Sequence, residues 1–257
     1  MTTPAPVAIV TGSSRGIGLS IARALGRNGH RIVLVARDAT SLASAQQHLA
    51  QSGIASATCA VDLRVDGAAE LVLAAAQAAF GDPDVLVNNA GTAPTAKFEA
   101  TTDAMLDETL ALHVHAPLAL IRAVLPGMRQ RDRGCIVQLA STAGLRAFPF
   151  TAAYTAAKHA MVGLTRALAT ELLRTNIRTF AVCPGFVDTD ITRQAARGIA
   201  ARGKITAEQA LQRMGEQNEI RRMHSVDEVA AAVAMLVAAR PTGCTYVLDR
   251  EPPAFID

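Results

Sequence analysis

This sequence predicts an α/β fold, a single doubly wound domain with a parallel sheet flanked by helices, and three observations predict it. Short β-branched runs alternate with longer alanine-rich stretches of helical period, beginning almost at the first residue. A glycine-rich turn joins the first such run directly to the first helical stretch. Finally, 50% of the 257 residues are hydrophobic and only 18% are charged, which supplies enough apolar surface to cover both faces of a sheet.

The strands fall in order at 7–10, 31–36, 56–61, 85–87, 135–139, 179–182 and 245–248, a seven-stranded sheet. Helices fill the gaps at 17–28, 39–51, 66–79, 102–131, 152–174 and 225–239, with a further helical pair between 188 and 218. A break is expected near Pro117, because proline lacks the N–H that a regular helix needs. No linker divides the chain, so 1–257 reads as one domain. The one long departure from the rhythm is the insertion at 186–225, of the kind that covers a site.

Composition excludes several classes. The 25 basic and 22 acidic residues leave a net charge of +3, too even for a dedicated nucleic-acid binder, and no basic stripe carries aromatic platforms. Cys59, Cys135, Cys183 and Cys244 stand far apart, so neither a disulfide framework nor a metal site is expected. The amino terminus lacks a basic region and a long apolar region, and the longest uninterrupted apolar stretch, 230–239, is about half of a membrane span. A cytoplasmic protein without membrane partners is expected.

Thr11-Gly12-Ser13-Ser14-Arg15-Gly16-Ile17-Gly18 follows the first strand and opens the first helix. Glycine at 12, 16 and 18 removes side chains where a pyrophosphate must approach backbone N–H groups and the positive helix end. At the tip of the second strand, where a carboxylate would bond the adenosine ribose and repel a 2′-phosphate, the chain carries Ala36 and Arg37. Arg37 and Arg15 supply two guanidinium groups for that phosphate, so NADP(H) is favoured over NAD(H).

Tyr154 and Lys158 stand at i, i+4 on a predicted helix, which puts phenol and ammonium on one face. A nearby cation favours the phenolate; lowering a pKa near 10 by about two units takes roughly 2.7 kcal/mol. Thirteen residues before Tyr154, after a strand, Ser141 offers a hydroxyl to a carbonyl oxygen held by the phenol.

With TGSSRGIG at 11–18, NNAG at 88–91, Ser141, YTAAK at 154–158 and Pro184-Gly185 in this order and spacing, the chain resembles the short-chain dehydrogenase/reductase family over essentially its whole length. The resemblance implies a Rossmann fold and a nicotinamide-dependent oxidoreductase acting between a ketone and a secondary alcohol. In it Tyr154 is the proton donor, Ser141 orients the carbonyl oxygen, and Lys158 holds the nicotinamide ribose. It further places Gly12, Ser14, Arg15, Gly16, Ile17 and Gly18 around the phosphates, Asp62 and Leu63 near adenine, and Asn89, Ala90 and Gly91 beside the adenosine. Pro184, Gly185, Val187 and Thr189 fall at the nicotinamide, with Thr189 on the carboxamide.

The chain departs from the family pattern in three places. His113 occupies the position of an asparagine that completes a proton relay. The family's backbone carbonyl at that position holds the relay water, so the histidine preserves the relay through its main chain, adds a group titrating near pH 6.5, or cripples it. Phe180 replaces a common asparagine of the sixth strand, and the tail 248–257 lacks the usual Asp-Gly-Gly turn.

Leu145, Phe148, Phe150, Phe186, Ile191, Met214 and Met223 form the expected pocket rim and imply an apolar or acyl substrate. Arginines at 193, 197, 202, 213, 221 and 222 are either a solvated face or contacts for a thioester's phosphates. The leading expectation is NADPH-dependent reduction of a 3-oxoacyl thioester or related apolar ketone. An NAD-dependent dehydrogenase of a hydroxyacyl-CoA, steroid or aromatic alcohol is the alternative, and a non-catalytic nucleotide-binding subunit is a third reading. The resemblance and the alanine-rich helices imply a homo-oligomer, tetramer or dimer.

Overall fold

The computed structural model describes residues 4–203 and 205–257. Its chain runs β1 (Val7–Thr11), α1 (Gly16–Arg27), β2 (Arg31–Ala36), α2 (Ala39–Gln51), β3 (Ser56–Ala60), α3 (Ala68–Phe80) and β4 (Val85–Asn88). It continues through α4 (Asp103–Leu110), α5 (Ala116–Gln130), β5 (Gly134–Leu139), α6 (Ala152–Glu171) and β6 (Ile177–Cys183). The last elements are α7 (Asp190–Arg202), α8 (Ala207–Glu216), α9 (Val226–Ala239), β7 (Thr245–Val247) and β8 (Ala254–Phe255).

All strands join one sheet in the order β3-β2-β1-β4-β5-β6-β7-β8. Alternation sorts the side chains of β1. Ala8 and Val10 meet α1, α2 and α9 on one face, while Val7 and Ile9 meet α3 and α5 on the other. Both faces are apolar, so the sheet is buried on both sides, which is why the strands read as continuous hydrophobic runs. From β1 the chain winds outward to β2 and β3, then returns to place β4 on the other side of β1. That reversal opens a crevice at the carboxyl ends of β1 and β4, where ligands bind in such sheets.

One expectation needs correction. The sheet has eight strands, because Tyr246 and Val247 pair antiparallel with Phe255 and Ala254. This strand follows Pro252 and Pro253, which break any alternating pattern, so nothing local announced it. Phe255 lies 5.2 Å from Tyr246 and 6.2 Å from Phe180, ring centre to ring centre. The unusual tail and the unusual Phe180 are therefore one feature, a strand anchored by aromatic packing.

The break expected near Pro117 is a wide π-helical segment at Ala111–His115, and Pro117 opens α5. Proline has no N–H, so the carbonyl of His113 loses its ordinary i+4 donor. The run Asp103–Gln130 is long and apolar enough, by length and composition, to cross a membrane. In this fold its Leu120, Ile121, Val124 and Met128 pack against the sheet.

Candidate active site

Gly12 has φ +63°, and a Cβ on Gly18 would come within 2.3 Å of its carbonyl oxygen. The loop therefore folds tightly onto the start of α1, as only glycine permits. Val35 donates to Ser13 Oγ (2.9 Å), pinning the loop to β2. Asn89 Nδ2 donates to the carbonyls of Thr11 (2.8 Å) and Gly12 (3.2 Å), and Thr11 Oγ1 accepts from the N–H groups of Asn89 and Ala90. The turn at 89–91 thus braces the glycine loop. The N-cap of α1 is Arg15, with no side-chain cap and no acidic residue in the first turn. Its positive end meets no carboxylate of its own helix, which fits a phosphate. Ser14 is half-buried, and Ile17 packs on the core.

At the tip of β2, Arg37 is exposed and has no hydrogen bond or ion pair to any described residue. Its charge and, more strongly, a pair of hydrogen bonds from Arg64 (2.6 and 3.0 Å) hold the Asp62 carboxyl down at about 2. Leu63 packs on the core beside it. Arg64 went unremarked in the sequence. Arg15 pairs with Asp190 at the start of α7 (3.3 Å), both side chains largely exposed, so the pair is weak and easily exchanged for an anion.

The strand β5 delivers Ser141, whose Oγ accepts the N–H of Ala143 (3.1 Å) and caps the short turn Thr142–Gly144. Tyr154 and Lys158 share one face of α6, and the Ser141 hydroxyl is near enough to the phenol to lower its pKa. Lys158 is buried; its Nζ donates to the Leu139 carbonyl (2.6 Å) and lies 5.6 Å from the Tyr154 ring centre. Ser141, Tyr154 and Lys158 come together as expected.

The electrostatics differ from expectation. Burial pushes the Tyr154 phenol up to about 12, with the Ser141 hydrogen bond opposing, and burial pushes Lys158 down to about 7. Lysine lowers a tyrosine pKa only while it is charged, and its own desolvation works against that charge. Cys183, behind the cluster, is a protonated thiol pushed up to about 11 by burial.

His113 is fully buried, edge-on to Tyr154 with ring centres 5.6 Å apart. Nε2 meets the Thr92 carbonyl at 2.8 Å, while Nδ1 has no partner among the described residues. A Cβ on Gly91 would lie 2.5 Å from the ring, so the imidazole occupies the space beside that glycine. Burial first, then the Lys158 charge, pushes the imidazole down to about 3, so a group titrating near pH 6.5 is not what His113 provides.

Because the unfolded imidazole binds its proton near 6.5 and the folded one only near 3, protonation in this window favours unfolding. Stability is expected to fall as pH drops from 6.5 toward 3, by on the order of 4 kcal/mol at the acid end. His113→Asn is expected to flatten that slope in thermal melts; an unchanged slope refutes the assignment.

The insertion folds as α7 and α8 around Ala196, Ala210 and Met214, joined by Phe186 and Met223. Met214 therefore belongs to the insertion's own core, a correction to the expected rim. Phe148 and Phe186 pack edge to face at 5.7 Å, Leu145 packs on the cluster around Cys183, and Ile191 and Phe150 are exposed. Val187 bridges to His224, Thr189 caps α7, and the Pro184 carbonyl accepts from Thr142 (2.9 Å). Arg193 and Arg222 pair with the part-exposed Asp188 and Glu228; the Arg202 side chain lies outside the described residues.

Comparison with known proteins agrees with this geometry. The family profile described as short chain dehydrogenase matches residues 6–200. A putative ketoacyl reductase of the monensin polyketide synthase from Streptomyces virginiae is 36% identical over 234 residues, 90% of each chain. The 3-oxoacyl-[acyl-carrier-protein] reductase of Pseudomonas aeruginosa is 33% identical, covering 97% of this chain and 98% of its own. Among solved structures, a variant of actinorhodin polyketide ketoreductase with NADPH superposes with a TM-score of 0.91 at 34% identity, covering 96% of this chain and 97% of its own.

Proposed function

The chain belongs to the short-chain dehydrogenase/reductase family, and from that premise we propose that it is an NADPH-dependent reductase of a 3-oxoacyl thioester or related apolar ketone. The observation that carries the reading is the clustering of Tyr154, Lys158 and Ser141, with Lys158 Nζ 5.6 Å from the Tyr154 ring centre and the Ser141 hydroxyl near enough to the phenol to lower its pKa. The uncapped, glycine-lined start of α1 fits a dinucleotide pyrophosphate. Gly12, Ser14, Gly16, Ile17 and Gly18 would hold that group, Arg15 and Arg37 the 2′-phosphate, and Asp62, Leu63 and the turn at 89–91 the adenosine. Lys158 would hold the nicotinamide ribose, and Pro184, Gly185, Val187 and Thr189 the ring with its carboxamide.

When bound, the dinucleotide supplies hydride to the carbonyl carbon. Tyr154 donates its O–H proton to the carbonyl oxygen, and the raised pKa means that the acid form is the one present at neutral pH. Ser141 orients the same oxygen. Lys158, whose proton is labile near pH 7, returns a proton toward the tyrosine. The His113 carbonyl, which lacks an i+4 donor because Pro117 has no N–H, would take the place of the family's relay carbonyl, and the neutral imidazole stays outside the relay. The Phe148–Phe186 pair and Leu145 support an apolar substrate, as do the ketoacyl reductases among the relatives.

Partly buried apolar residues along Asp103–Gln130, among them Leu110, Leu112 and Leu118, support a homo-oligomer with that face at a two-fold interface.

Titration of NADPH and NADH into the protein, followed by nicotinamide fluorescence, is expected to show tighter NADPH binding, and acetoacetyl thioesters are expected to turn over. Preference for NADH with oxidation of hydroxyacyl, steroid or aromatic alcohols would replace this reading with the dehydrogenase. Binding without turnover across the panel would replace it with the non-catalytic subunit.

A further inference from the structure

We propose that Asp249 is a positioning residue that locks the insertion at 186–225 onto the loop carrying Ser141. The kinetic part of its test rests on the reductase reading above; the structural part does not. Asp249 lies two residues beyond β7 and is fully buried, outside the Ser141–Tyr154–Lys158 cluster. Its Oδ1 accepts the N–H of Glu219 (3.1 Å) and meets His224 Nε2 at 3.3 Å. Its Oδ2 has no hydrogen bond among the described residues and faces the Arg146 guanidinium at 3.8 Å.

Each partner holds a different segment. Arg146, five residues after Ser141, also donates to the Gln217 carbonyl (3.1 Å). Asn218 closes a reciprocal pair with Phe186, accepting its N–H at 2.7 Å and donating to its carbonyl at 3.0 Å. The His224 backbone bonds Phe186 and Asp188. The junction closes directly on Gly185, where a Cβ would lie 2.3 Å from Asn218 Oδ1 and 2.7 Å from Asp249 Oδ2. Next to it, Pro184 accepts the N–H of Thr142, the neighbour of Ser141.

A carboxylate taken out of water needs compensating partners, and here the hydrogen-bonded ones, Glu219 and His224, belong to the insertion while the facing charge, Arg146, belongs to the serine loop. Lifting the insertion away removes Glu219 and His224 and strands the carboxylate, so Asp249 reinforces the closed arrangement that the Arg146–Gln217 bond also spans. Nothing in the proton chemistry uses Asp249; its work is to fix where Phe186 and Ser141 stand relative to each other.

Hydrogen exchange of the full-length protein tests this with Asp249→Asn and with Arg146→Gln, whose site is half-exposed and tolerant of substitution. An asparagine offers one oxygen for two donors and turns N–H groups toward Arg146. Exchange across 186–225 is expected to quicken about tenfold or more while β1 to β5 stay within about twofold. KM for an acetoacetyl thioester is expected to rise at least about fivefold, more than kcat falls. Arg146→Gln is expected to move both quantities the same way by less, and it decides the matter if Asp249→Asn does not fold. Unchanged exchange at 186–225, or exchange quickened everywhere with KM unmoved, overturns the proposal. Localised exchange without thioester turnover in the parent protein upholds the lock and refutes the substrate reading instead.

Discussion

Tyr154→Phe is expected to lower kcat by about 10² to 10⁴-fold while NADPH affinity stays within about twofold. The substitution removes one oxygen and keeps the ring, so the edge contact with His113 and the position of Lys158 are retained. Ser141 keeps the N–H of Ala143 as a partner and loses only the phenol. What disappears is the proposed proton donor to the carbonyl oxygen, and the residual rate measures what positioning alone contributes. In the parent protein the phenol stays protonated across the neutral range, whereas Lys158 is cationic below about 7 and neutral above it. The reduction rate is therefore expected to decline as pH rises through about 7, following the lysine. Steady-state kinetics with fluorescence titration of NADPH checks both points. A loss of kcat under tenfold would move the proton donor elsewhere, and a decline only near pH 10 would mean that Lys158 is not desolvated in the working enzyme.

Much of the fold was legible because its cause is local. A strand buried on both faces must be apolar at every position, so Val7, Ile9, Ile32, Val33 and their neighbours announce themselves. Tyr154, Lys158 and the glycine loop were legible for the same reason, since each motif is contiguous and sits at a junction that the strand pattern marks.

What was hidden is non-local. The strand β8 is stabilised by Phe255 against Tyr246 and against Phe180, which lies 75 residues earlier in the sequence. The Asp190 partner of Arg15 lies 175 residues away, and Asp249 gathers its partners from across the chain. Burial also reverses the shift that the i, i+4 spacing predicts at Tyr154. Spacing shows that an ammonium is near the phenol, but only packing shows that both are desolvated, and here desolvation wins.

Arg37→Asp is expected to weaken NADPH binding by about a hundredfold or more while leaving NADH within about threefold. The guanidinium stands exposed at the end of β2 and is bound to no described residue, so it is available to a phosphate without first breaking an ion pair. A charge-assisted contact to an anion is worth roughly tenfold to a hundredfold, and the introduced carboxylate adds repulsion of the 2′-phosphate. The same carboxylate gives ribose hydroxyls an acceptor, which is why NADH is spared. Arg15→Ala is expected to cost less, because Arg15 must leave Asp190 to reach the phosphate, and both effects should shrink as salt rises. Parallel titrations of the two cofactors separate this from general damage. Equal loss for both would mean that the site is merely distorted. If Arg64→Ala, and not Arg37→Asp, proves selective for NADPH, the phosphate is read by the arginine now paired with Asp62, and that pair must open for the cofactor to bind.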